Sequence, residues 1–239
     1  AWYNFKHFPD KYESWWGIDV LPSVNESCDS YANFITGTDG VIDHWIRRGV
    51  NGFRLDVADE LPDEFIEKIR NAAHAARADA LIIGEVWEDA SNKIAYSKRR
   101  KYLQGKELDS VMNYPLKDAI IKFLKSENTE VLREAIAQLR DNYPKCVLDS
   151  LMNILGTHDT SRILTVLGGV PAYNKDEMNV TVMSEEVKVK AKVLLKIAAV
   201  LQYTLFGVPC IYYGDEIGME GYGDPFCRHT FSWDKIDND

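Results

Sequence analysis

Apolar and polar positions alternate along the chain in blocks that predict strands followed by helices. Val50-Asn51-Gly52-Phe53-Arg54-Leu55 reads as a strand ending at Asp56. Pro62 then stands where a helix starts, Asp63 and Glu64 suit its first turn, and Phe65, Ile66 and Ile69 follow at helical spacing. Ala80-Leu81-Ile82-Ile83-Gly84 is continuously apolar, as a strand covered on both faces should be, and it ends at Glu85. Leu108 to Met112 forms a third strand, closed by Asn113-Tyr114-Pro115, with Ile120, Ile121, Phe123 and Leu124 marking the helix beyond. A further helix covers Glu130 to Asp141. Leu151 to Leu155 is the fourth strand and leads into Gly156-Thr157-His158-Asp159. A long helix from Ser184 to Leu205 carries Val189, Val193, Leu194, Ile197, Val200 and Leu201 on one broad face, with lysines on a solvated one. Val208 to Tyr213 is the last strand, followed by a Gly-rich polar loop.

This alternation implies an α/β fold, a mostly parallel sheet covered by helices. Residues 1–37 fit no such unit. Their crowded aromatics, among them Trp2, Tyr12, Trp15 and Trp16, read as a long loop. A helix from Thr38 to Arg48, with Trp45 expected in the core, precedes the first strand.

Composition adds exclusions. Hydrophobic residues make up 46% and charged residues 27%, which rules out a disordered or fibrous chain. No apolar run reaches the roughly 18 residues of a membrane span. Twenty-eight basic against 37 acidic residues give a formal net charge of −9, which argues against nucleic acid as a partner. Cys28, Cys146, Cys210 and Cys227 lack metal-ligand spacing and are too sparse for a disulfide framework. The first residues show no basic stretch followed by an apolar core, so they carry no secretory signal; the compartment stays open.

The chemistry lies in where the acids fall. Asp56, Glu85 and Asp159 each stand at the C-terminal end of a predicted strand, the edge where parallel α/β proteins assemble active sites. Any one of them alone reads better as a helix cap. Together with Arg54, two residues before Asp56, and His158 beside Asp159, they read as a site. Hydrolysis through an oxocarbenium-like transition state needs one carboxylate nucleophile and one carboxylic acid for the leaving oxygen. Arg54 would keep Asp56 ionised, so Asp56 suits the nucleophile. Glu85, after a dry strand and before Trp87, suits the acid.

Gly52-Phe53-Arg54-Leu55-Asp56, Gly84-Glu85-Val86-Trp87 and Leu155-Gly156-Thr157-His158-Asp159-Thr160 resemble, in order and spacing, three motifs of the α-amylase family of glycoside hydrolases. Asp56 to Glu60, Val111 to Pro115, His158 to Arg162, Tyr212 to Glu216 and Asp224 to Arg228 are similar to its neopullulanase, cyclomaltodextrinase and maltogenic amylase branch. The resemblance spans essentially the whole chain. It implies a retaining mechanism with Asp56 as nucleophile, Glu85 as acid/base and Asp159 stabilising the transition state. Arg54 and His158 would support them, Trp87 and Tyr114 would stack on sugars, and Asp224 and Arg228 would grip hydroxyls on the non-reducing side.

The departures are as informative. The family's Asp-x-x-x-Asn-His motif at the third strand is absent. The resemblance therefore implies a partial (β/α)8 TIM barrel, strands 4 to 8 with their helices over residues 38–239. Residues 1–37 would be a remnant of the long, domain B-like loop after strand 3. A complete barrel runs to about 250 residues, so the 239-residue length matches one only by coincidence. Such a piece is expected to be inactive alone and to self-associate. No cofactor and no metal are expected, because the calcium ligands of many relatives lie largely in segments missing here. Ala58-Asp59-Glu60 after Asp56 leans toward maltodextrins, cyclodextrins or pullulan, with Asp59 serving either sugar contact or a helix start. Two alternatives stay open: a non-catalytic amylase-like binding or scaffold protein, and a transglycosylase. Asp215 and Glu216 would bind substrate or a cation, or serve structural hydrogen bonds, the better reading. The early aromatics would stack on sugar faces or pack the loop.

Overall fold

The computed structural model describes residues 1–236, and the chain divides into two compact units. One comprises Ala1–Val86 and Ala90–Ser110; the other comprises Trp87–Asp89 and the residues from Val111 onward.

The first unit is built on two parallel strands, Gly52–Leu55 and Leu81–Gly84, registered so that Leu55 faces Gly84. Asp56 and Glu85 are thus the next residues at matching strand ends. Gly52 is required by proximity, since a Cβ there would lie 2.1 Å from the Leu81 carbonyl oxygen; a Cβ on Gly84 would lie 2.4 Å from a Leu108 methyl carbon, which would have to shift. Between the strands runs the helix Asp63–Ala76, entered through Pro62 with Asp63 and Glu64 in its first turn. It buries Phe65, Ile66, Ile69 and Ala73, the face its spacing predicts.

Residues 1–37 are not a single loop. They hold an antiparallel pair, Phe5–His7 with Lys11–Tyr12, a 3-10 turn at Trp15–Gly17 and a helix, Asp29–Thr36. That helix buries only Ala32, so it has no apolar stripe to betray it. Trp2 packs on Phe34 and Tyr31 at 5.0 and 5.4 Å between ring centroids and donates its indole N–H to Ser30 Oγ at 2.9 Å. The helix before the first strand is confined to Val41–Arg47. It buries Ile42 and Ile46 and leaves Trp45 49% exposed, against the expected core position. Residues 90–110 carry a small hairpin, Ile94–Ala95 with Lys98–Arg99, turned by Tyr96 and Ser97 at φ 52° and 61°.

In the second unit Met152–Asn153 pairs in parallel with Val208–Pro209, and Met112 bridges Met152. These strands are shorter than the apolar runs suggest, as is Ser110–Val111. Asn153 is buried at their junction: its amide donates to the Phe206 carbonyl and accepts from Asn113, and Gln202 donates to its backbone carbonyl at 3.0 Å. Helices Tyr114–Ser126 and Thr129–Asn142 are capped by Asn113 and Asn128 side chains. Glu185–Thr204, capped by Ser184, buries Ala191, Ala198 and Gln202. Val189, Val193, Ile197 and Val200 are exposed, so the broad apolar face is not the packed one. Small side chains let a helix lie close to its neighbours, and hydrophobicity alone does not register that.

Candidate active site

Arg54 organises the candidate site of the first unit. Its Nη1 pairs with Asp56 Oδ1, and its Nη2 lies 3.1 Å from Glu85 Oε1. The guanidinium thus serves both carboxylates rather than Asp56 alone, and it does not by itself separate nucleophile from acid. The two acids differ instead in burial. Glu85 is 7% exposed, whereas the Asp56 side chain is 73% exposed. Glu85 Oε2 also accepts the Val57 N–H at 2.8 Å, and Glu85 N–H donates to the Leu55 carbonyl at 2.9 Å.

Val57 makes that bond possible by adopting a left-handed conformation, φ 43° and ψ 55°. A β-branched residue there costs about 1–3 kcal/mol and persists only where neighbours impose it. The 3-10 turn Ala58–Glu60 follows. Asp59 is taken up structurally, accepting from Tyr102 Oη at 2.7 Å and pairing with Lys93 Nζ at 3.0 Å. Glu60 Oε1 accepts from Trp16 Nε1 and from Tyr96 Oη, both at 2.7 Å. Trp16 in turn stacks on Trp15, with centroids 4.7 Å apart. An open cleft of about 620 Å³ lies against this turn, lined by Asn4, Glu13, Trp15, Leu21, Asp56 and Glu60 among others.

The second unit holds the remaining candidates in two groups. Trp87 stacks on Tyr114 at 4.6 Å and 13° between planes; Tyr114 is buried and Trp87 is half-exposed. Separately, Asp159 Oδ2 lies 3.1 Å from His158 Nε2, and its Oδ1 accepts from Arg228 Nη2 at 3.2 Å. Arg228 Nε also pairs with Asp224 Oδ1 at 2.5 Å, and Cys227 Sγ donates to the His158 carbonyl at 3.0 Å.

Beneath that cluster lies a residue sequence reasoning passed over. Arg162 has no exposed surface and lies over the Tyr212 and Tyr213 rings at 4.8 and 4.9 Å. It donates to the Tyr213 carbonyl at 2.7 Å and to Asp215 Oδ1 at 3.2 Å, and its own N–H donates to the Gly221 carbonyl. Asp215 therefore takes the structural role. Burial pushes its carboxyl up to about 7 despite the guanidinium beside it. Only the spacing His158-Asp159-Thr160-Ser161-Arg162 could have drawn attention to Arg162. Among the described residues, no group of three or more His, Cys, Asp or Glu side chains could hold a metal ion, and no helix is long and apolar enough to cross a membrane.

A family model described as alpha amylase, catalytic domain, matches residues 21–238. The chain is 34% identical to a cyclomaltodextrinase of Geobacillus thermopakistaniensis, an alignment covering 98% of the chain and 36% of that protein. It is 36% identical to an amylopullulanase of Thermoanaerobacter thermohydrosulfuricus, over 100% of the chain and 17% of that protein. Among solved structures, the type III pullulan hydrolase from Thermococcus kodakarensis superposes with a TM-score of 0.82 at 28% identity, over 99% of this chain and 39% of that one. The chain thus spans little more than a third of the length of the cyclomaltodextrinase it matches.

Proposed function

The chain belongs to the α-amylase family of glycoside hydrolases, whose catalytic domain is a (β/α)8 barrel, and from that premise we propose that it serves a retaining α-glucan hydrolase. Asp56 attacks the anomeric carbon while Glu85 protonates the departing glycosidic oxygen. Glu85 then takes a proton from the water that releases the sugar from Asp56. Asp159 holds sugar hydroxyls and stabilises the transition state with His158 beside it, and Arg54 supports Asp56 and Glu85. Trp87 and Tyr114 offer a stacking surface, and Asp224 and Arg228 grip hydroxyls on the non-reducing side. The substrates are α-1,4 and α-1,6 glucans: maltodextrins, cyclodextrins or pullulan. Five strands, from Gly52–Leu55 to Val208–Pro209, correspond to the fourth to eighth of the barrel within residues 38–239, and residues 1–37 to the end of the loop after the third.

The observation that carries this reading is the Arg54 guanidinium shared by Asp56 and Glu85 at adjacent parallel strand ends. Two acids of contrasting burial around one cation are what double displacement asks for. The test uses the polypeptide as its gene encodes it, assayed on maltodextrin, cyclodextrin and pullulan. Release of reducing sugar with retained anomeric configuration is expected, and none from any of the three refutes the reading. Asp56→Asn should lower turnover about 10⁴-fold; retained activity removes the nucleophile assignment. The isolated 239 residues should self-associate and hydrolyse nothing; measurable turnover or a monomer in light scattering overturns that part.

A further inference from the structure

The turn that follows Asp56 is clamped by a residue on neither strand. Arg100 lies in the 90–110 segment and is 5% exposed. Its Nη1 donates to the Asp59 carbonyl at 2.8 Å, and its Nη2 donates to the Leu61 carbonyl at 2.6 Å and the Ala58 carbonyl at 3.4 Å. Its Nε faces Asp63 Oδ1 at 2.8 Å, and its plane lies over the Tyr102 ring at 4.8 Å. A guanidinium is a rigid, planar fork of five donors, so seating three carbonyls of one short turn on it fixes their relative orientation. Those carbonyls belong to the residues immediately after Val57, whose left-handed conformation has no support from its own side chain.

We propose that Arg100 is a positioning residue: by clamping the Ala58, Asp59 and Leu61 carbonyls it holds Val57 left-handed, keeps the Val57 N–H on Glu85 Oε2, and so sets Glu85 against Asp56. Glu85 and Arg100 hold the turn from opposite sides, one through N–H groups and the other through carbonyls. Freed of Arg100, Val57 relaxes to an extended or right-handed conformation, and its N–H leaves Glu85. The activity consequence rests on the hydrolase reading above; the clamp itself does not.

The experiment has two arms on the encoded polypeptide, with Arg100→Met and Arg100→Lys compared with wild type. The first follows amide hydrogen exchange by mass spectrometry. Exchange over Val57–Leu61 should quicken at least about tenfold in both variants, while the helix Asp63–Ala76 keeps its protection. The Lys variant retains the charge facing Asp63, and a single ammonium cannot span three carbonyls, so it reports on the clamp even if the Met variant fails to fold. The second arm measures maltodextrin hydrolysis: kcat should fall about 10²-fold with KM within about threefold. Unchanged exchange at the turn overturns the proposal, as does equal loosening of turn and helix, or a raised KM with intact kcat. A wild type that releases no sugar refutes the hydrolase reading instead, and the exchange arm still judges the clamp.

Discussion

Asp215 provides the most quantitative test of how the second unit is held together. Its carboxyl is 8% exposed, pairs with Arg162 and lines a cavity of about 290 Å³ with Leu155, Gln202 and Tyr212. Burial lifts it from 3.8 to about 7 in the folded protein, with Arg162 opposing. A raised carboxyl contributes stability that is fully present below its unfolded value and is lost as pH rises through the folded one. Between pH 4 and 7 the folded state holds a proton the unfolded state has released, so stability falls by about 1.4 kcal/mol per pH unit, about 4 kcal/mol in all. Asp215→Asn removes that titration while keeping an oxygen for Arg162. Urea unfolding of wild type and variant at pH 3, 4, 5.5, 7 and 8 should show the variant gaining about 4 kcal/mol relative to wild type between pH 4 and 7, and nothing outside that window. Glu107, also pushed up to about 7 by burial, adds the same slope to both proteins and cancels in the difference. Parallel curves would refute the reasoning. A relative gain by the wild type as pH rises through 3 to 4 would mean that Arg162 outweighs burial.

Gly52→Ala should destabilise the folded state by at least about 2 kcal/mol in denaturant titration, because the new methyl meets a backbone carbonyl that cannot move aside; Gly49→Ala, at φ 98° with open space around it, should cost only backbone strain and less than that. Cys28, whose thiol is lowered to about 7 by the Ser30 hydroxyl, should be alkylated by iodoacetamide at pH 7 well before Cys210 and Cys227, which burial pushes up. Peptide mapping of the labelled cysteines checks the order.

The elements that positioned these residues were legible where one face of each carries the packing. Phe65, Ile66 and Ile69 announce their helix, and the dry run to Gly84 announces its strand. The long helix near the C-terminal end was legible as a helix but not in its orientation, because its contact stripe is Ala191, Ala198 and Gln202. The hairpin at 94–99 escaped notice because Tyr96 and Ser97 turn it without the Asn or Gly that usually marks such a turn. Arg100 sits within Lys98-Arg99-Arg100-Lys101, a run that reads as solvated charge; only folding shows that one of the four is buried. Asp56 and Glu85 could be singled out by their places just past matching strand ends, whereas Asp159 lies well beyond the short strand Met152–Asn153, and the sharing of Arg54 between the first two required coordinates.

The division of the chain has a consequence for how it can be recombined. The backbone passes between the two units after Val86, after Asp89 and after Ser110, so neither unit is a contiguous stretch of sequence. Trp87 reaches its stacking partner Tyr114 from across an intervening segment that belongs to the other unit. A chimaera made with one crossover point anywhere from 88 to 113 would take its indole from one parent and its phenol from another. Exchange of the second unit alone between relatives therefore needs three junctions, and the two that fall between Trp87 and Tyr114 must be used together to keep the aromatic pair from one parent.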